Sequence, residues 1–161
     1  MANEIQVKKT DSVLEELNRL HETISRRAYD LFHGHDGLVP GALADWFSAE
    51  RELVWSPAIE LRQKDGAFEL EASVAGFDPK DVEVHVTAED ILIKGKSEQT
   101  RETKDGTVHV SEFRSGRLFR SIHLPERIDP DSAKAEQRNG MLRVTAKVAK
   151  PVAKKVEVQA A

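Results

Sequence analysis

Two histidines and an acid stand together at His33-Gly34-His35-Asp36, a donor set of the kind that holds divalent metals. A zinc site also needs regular ligand spacing and outer partners that orient each imidazole, and this glycine-rich loop offers neither. No metal is expected there. His85, His109 and His123 each sit beside apolar residues in stretches of strand character, so they read as solvent-facing side chains. Asp129 and Asp131 flank Pro130 and read as turn residues rather than an acid and base pair. The chain has no cysteine, no Gly-x-Ser-x-Gly elbow and no phosphate-cradling glycine loop. Nothing supports catalysis, and no cofactor is expected.

The residues that can act are therefore apolar ones. In Lys154-Lys155-Val156-Glu157-Val158, beyond Pro151, two valines point to one side of an extended tail that has no other reason to fold. Such a pair needs a groove on something else, which points to self-assembly.

Composition narrows the field. At 161 residues the chain holds one sandwich-sized core with flanking arms. With 39% hydrophobic residues, 32% charged residues and a net charge of -4, a basic surface for nucleic acid is not expected. The polar start Met1-Ala2-Asn3-Glu4 lacks the apolar core of a secretion signal, and the absence of cysteine fits a reducing compartment, so the expected location is cytoplasmic. No apolar run approaches the roughly 20 residues that span a bilayer.

Three regions are expected: an N-terminal arm over 1–56, a β-sandwich over 57–149 and a tail over 150–161. Val13, Leu17, Leu20, Ile24, Ala28 and Leu31 recur at helical spacing and predict an amphipathic helix over about 12–32, capped by Ser12 with Glu15. Its stripe could serve a coiled coil, a membrane surface or the chain's own domain. Loop-like residues after Gly34 make a return within the arm unexpected, and Glu15, Glu16 and Glu22 oppose anionic lipid. Leu43, Trp46, Phe47, Leu53, Val54 and Trp55 crowd an aromatic segment, 43–55, without clean periodicity. It either plugs the end of the core or forms an exposed binding patch.

From Pro57 the apolar period becomes two. Ile59 and Leu61, then Phe68 to Val74, Val82 to Val86, Ile91 to Ile93, Leu118 to Leu124, Ala133 to Ala135 and Met141 to Val148 are separated by turn residues such as Asp65-Gly66 and Asn139-Gly140. Many short half-polar strands predict an all-β core, an immunoglobulin-like antiparallel β-sandwich. Within the long stretch from Lys96 to Gly116, Val108 and Val110 predict a small strand that covers an edge of its own subunit or of a neighbour.

The motifs now in view are Trp55-Ser56-Pro57, Ala75-Gly76-Phe77-Asp78, Ile91-Leu92-Ile93-Lys94-Gly95, Ser111-Glu112, Gly116, Arg120, Leu124-Pro125, Ala135 and Asn139-Gly140-Met141-Leu142. In order and spacing, closed by the tail valines, they resemble the small heat-shock proteins, the α-crystallin-related chaperones, from about Trp55 to Lys150. The chain departs from that pattern at Ala75 for proline, Ser115 for an aromatic residue, Leu118 for phenylalanine, and valines where isoleucine is common in the tail.

The resemblance implies an α-crystallin-type domain that dimerises by strand exchange. The strand carrying Val108, His109, Val110, Glu112 and Phe113 would pair with the partner's first strand near Ile59. Val156 and Val158 would dock between the strands around Val82, Val84 and Val86 and around Ala133 and Ala135 of another subunit. Arg120 could pair with Glu112 across the dimer or stay solvated. Family members hold unfolding proteins without ATP and leave refolding to ATP-dependent chaperones. Client contact is expected at the emptied groove, at Leu17, Leu20 and Ile24, and at Leu43, Trp46 and Phe47. The competing reading is a monomeric, co-chaperone-like sandwich that binds one defined partner.

Overall fold

Alternation of apolar and polar residues places two sheets face to face. The computed structural model describes residues 2–34, 41–97, 105–110, 116–150 and 156–160. The strands are β1 (Asn3–Ile5), β2 (Val7–Lys9), β3 (Val54–Trp55), β4 (Ile59–Lys64), β5 (Ala67–Ser73), β6 (Val82–Val86), β7 (Asp90–Ser97), β8 (Gly116–His123), β9 (Lys134–Arg138) and β10 (Met141–Lys147). Two helices, α1 (Leu14–Gly34) and α2 (Ala42–Leu53), precede β3. One sheet runs β1-β9-β10-β5-β4 and the other β2-β6-β7-β8-β3. Every pairing among β4 to β10 is antiparallel, whereas β2 on β6 and β3 on β8 are parallel. This is the expected antiparallel β-sandwich.

Two tight turns fix the strand registers. Asp65 and Asn139 take φ of 53° and 51°, followed by Gly66 and Gly140 at 74° and 75°. Two successive positive φ values twist a hairpin in the sense that the flanking strands require, so β4-β5 and β9-β10 stay in register. The core lies between the sheets: Phe68, Leu70 and Val74 from β5 and its end, Val84 and Val86 from β6, Ile91 and Ile93 from β7, Leu142 and Val144 from β10. Leu92 points the other way from Ile91 and Ile93 yet is fully buried. On that same outer face Lys94 Nζ lies 3.1 Å from Glu16 Oε2 of α1, which ties the helix to the sheet.

Several expectations fail here, each for a local reason. The segment 43–55 is mostly the helix α2. Its buried line is carried by Ala49 and by the carboxylate Asp45, so hydrophobicity alone shows no period. The stripe of α1 does return onto its own arm: Ile24 and Ala28 pack on Ala49, with Leu20, Leu31, Trp46 and Val54 around them. Alanines at the crossing let the helix backbones approach closely, and Arg27 Nε bonds Glu52 Oε2 at 2.8 Å across the pair. Residues 105–110 form no strand within the single chain, and Val108 and Val110 are exposed; the ladder partner that the resemblance implies for them is a strand of another subunit. Ser12 caps α1 by accepting from Leu14 N–H at 3.1 Å.

Candidate functional site

β6 and β9 are edge strands of the seven-stranded core, one on each sheet, and they face along the same side of the sandwich. Residues 3–9 lie across that side. β1 pairs with β9 so that Ile5 faces Ala135, and β2 pairs with β6 so that Val7 faces Val84. A single residue, Gln6, carries the chain from one sheet to the other. Ile5 is 3% exposed and joins the core, and Val7 packs against it. The reason is geometric: residues i and i+2 of an extended chain share a face, so two apolar side chains enter the slot while Gln6 turns away. Thr10 N–H donates to Val86 O at 3.0 Å and continues the contact.

Charges line the rim. Lys8 Nζ stands 3.1 Å from Glu83 Oε1, and Lys9 pairs with Asp131. Glu83 also accepts from His85 Nε2 at 3.0 Å and lies 3.6 Å from Lys94 Nζ. The His85 hydrogen bond, above all, lowers the Glu83 carboxyl to about 2; Lys8 and Lys94 add to this, and partial burial opposes it. Gln137 is buried on β9 and donates from Nε2 to Phe77 O at 2.9 Å.

The groove residues named from sequence line this slot. Val82, Val84, Val86 and Ala135 are all buried, and Ala133 is half-buried. Among the described residues it is residues 3–9 that lie over this slot. Val156 and Val158 are 75% and 90% exposed. On the opposite side of the sandwich, β4 with Ile59 closes its sheet, and its outer edge has no ladder partner among the described residues. Arg120, on β8 opposite Ile93, donates from Nη1 to Ser56 Oγ at 3.4 Å. His109 is exposed beside Val108 and Val110, while Glu112 and Phe113 lie outside the described residues, as do His35 and Asp36.

The expected client residues divide. Leu17, Leu43 and Phe47 are exposed, whereas Ile24 is buried between the helices. Leu20 and Trp46 are partly buried there, with the His21 ring 4.8 Å from that of Trp46. Ile24 is therefore a packing residue of the closed hairpin, because the returning α2 takes up the stripe that was expected to stay open. Tyr29, Phe32 and Leu14 are exposed on α1 instead.

Sequence reasoning missed Ile5 and Val7. Ile5-Gln6-Val7 carries the same apolar-x-apolar signal that singled out Val156-Glu157-Val158.

Comparison with known proteins agrees with this architecture. The model of the Hsp20/alpha crystallin family matches residues 60–159. The chain is similar to the probable 15 kDa heat shock protein of Leptospira interrogans, 31% identical over 110 residues, which is 68% of this chain and 83% of that one. It is also similar to the 18.0 kDa class I heat shock protein of Daucus carota, 30% identical over 132 residues, 81% of this chain and 82% of the other. Among solved structures, heat shock protein 16.0 from Schizosaccharomyces pombe superposes with a TM-score of 0.53 at 28% identity, covering 65% of this chain and 99% of that one. Among the described residues no helix is long and apolar enough to cross a membrane. A family model matched over most of the chain, on a two-sheet β-sandwich of the kind described, places this chain in the Hsp20/alpha crystallin family of small heat-shock chaperones.

Proposed function

We propose that this protein is an ATP-independent holdase that binds unfolding proteins, built from strand-exchanged dimers linked into larger, exchanging oligomers. The observation that carries the reading is the slot between β6 and β9, which receives an extended apolar-x-apolar segment, together with a second such segment, Val156-x-Val158, left exposed. The tail of a neighbouring subunit docks in that slot by adding a strand to each edge. The stretch carrying Val108, His109, Val110, Glu112 and Phe113 pairs with the β4 edge near Ile59 of the partner, and Arg120 lies close to that contact.

Magnitudes favour exchange over permanence. Burying a valine contributes about 1.5 kcal/mol or somewhat more, and each methylene lost relative to isoleucine removes about 0.8 kcal/mol. Ordering a free tail costs a comparable amount, so one Val-x-Val anchor is weak and many together are not. An unfolding client offers the same exposed strands and apolar side chains, and meets the vacated slot together with Leu17, Leu43 and Phe47. Leu20, Ile24 and Trp46 join that surface only once the helices part. Refolding is left to ATP-dependent chaperones, and the place of action is the cytoplasm.

The test is native mass by light scattering while the sample is warmed, paired with turbidity of a heat-labile test protein in the absence of ATP. Large particles that exchange subunits and suppress turbidity are expected. A monomer that leaves the test protein to precipitate favours the alternative, an adaptor that plugs its own edges with residues 3–9 and binds one defined partner.

A further inference from the structure

We propose that Ile5-Gln6-Val7 is a rival occupant of the tail-docking slot: the chain closes its own cleft with its N-terminal segment, and an incoming tail docks only where that segment has left. The inference rests on the reading that Val156-x-Val158 docks between β6 and β9.

Mutual exclusion follows from hydrogen bonding. The outward N–H and C=O groups of an edge strand can serve one added strand at a time. β6 already gives its ladder to β2 through the Val7 and Val84 pair, and β9 gives its own to β1 through the Ile5 and Ala135 pair. The two candidate segments share the side-chain spacing that the slot selects. In sequence, Ile5-Gln6-Val7-Lys8-Lys9 reads forward as Val158-Glu157-Val156-Lys155-Lys154 reads backward. The one guest runs antiparallel to β9 and parallel to β6; a guest of reversed direction would meet each edge in the other sense, and both senses form hydrogen-bonded ladders.

The N-terminal guest has two advantages. Ile5 buries one more methylene than a valine does, worth about fourfold in affinity. It is also tethered, because only Thr10 to Val13 separate β2 from α1, which keeps its effective concentration high. The tail of another subunit must overcome both, so the cleft is latched and not merely empty or full. Lys8 on Glu83 and Lys9 on Asp131 hold the latch from the rim.

A reversible lock tests this. Glu4 faces Glu136 in the antiparallel β1 and β9 pair, and both are exposed. The chain has no cysteine of its own, so E4C/E136C can form a disulfide at that pair when oxidised. The full chain also carries V156S/V158S, which leaves a labelled peptide of residues 154–160 as the only tail anchor. Fluorescence anisotropy should show the reduced protein binding the peptide at least about tenfold more tightly than the oxidised one, with reductant restoring binding to the same sample. Equal binding in both states overturns the latch while leaving tail docking intact. No binding in either state removes tail docking itself, and the rivalry with it. A disulfide that joins two subunits on a non-reducing gel overturns the assignment of the segment to its own chain.

Discussion

Trp55 and Phe77 stack with ring centroids 5.6 Å apart and planes 10° from parallel. The contact joins the two-residue strand β3, which follows the helices, to the turn ahead of β6. Phe77 in turn packs against the core, and its ring sits 3.4 Å from where a Cβ on Gly95 would be. Stacked pairs of this kind contribute about 0.5–1.5 kcal/mol beyond their buried area. A double-mutant cycle with Trp55→Ala and Phe77→Ala in denaturant should return a coupling energy in that range. Additive losses would mean that the two rings merely lie side by side.

The helical hairpin should be separable from the sandwich. Ala49 is fully buried where α2 crosses α1, so Ala49→Leu forces extra methylenes into a site with no room. The cost expected is about 1–3 kcal/mol, borne by the hairpin and not by the strands. Helical circular dichroism should melt earlier than the β signal, and the freed Ile24 and Trp46 should raise binding of an apolar dye. A single shared transition at lower temperature would instead mean that helices and sandwich unfold as one unit.

Acid should weaken the rim before it unfolds the core. Glu83 has its carboxyl at about 2, below the ordinary value of about 4.3. A depressed pKa means the folded state releases this proton more readily than the unfolded chain does. The stabilisation is therefore complete above about pH 4.3 and is lost as pH falls toward about 2. In Glu83→Gln the stability curve should be flatter across that window, and carboxyl NMR should place the Glu83 midpoint near the bottom of it. A Glu83 midpoint at the ordinary value would show that His85, Lys8 and Lys94 do not hold it in solution.

Much of the sandwich was legible because its causes are local. Phe68, Leu70, Ala72 and Val74 alternate with polar neighbours, and Asp65-Gly66 and Asn139-Gly140 declare their hairpins. That β6 and β9 adjoin as the two walls of one slot came only with the family resemblance, because inward-facing valines and alanines mark a strand and not which edges lie side by side. The helix α2 was hidden because Ala49 and Asp45, not large apolar residues, form its buried line. The cover over the slot was hidden for a different reason. β1 and β2 are three residues each and acquire their strand character only from the edges they meet, so no window of sequence around Ile5 contains the partner that makes it a strand.

The tail anchor carries the last prediction. Val156 and Val158 are 75% and 90% exposed, so little of either side chain is packed on the sandwich. Replacing both with serine should leave the melting of the sandwich within about 0.5 kcal/mol of the parent, as for surface changes generally. Particle mass is another matter, because in the proposed assembly each tail is one of many weak links and the double substitution cuts all of them at once. Light scattering of Val156→Ser with Val158→Ser should report a fall to dimers or a few dimers, while the β4 edge contact persists. Unchanged mass would transfer the assembly to other surfaces, the exposed Leu14, Tyr29, Phe32 and Leu43 of the helices being the first to examine.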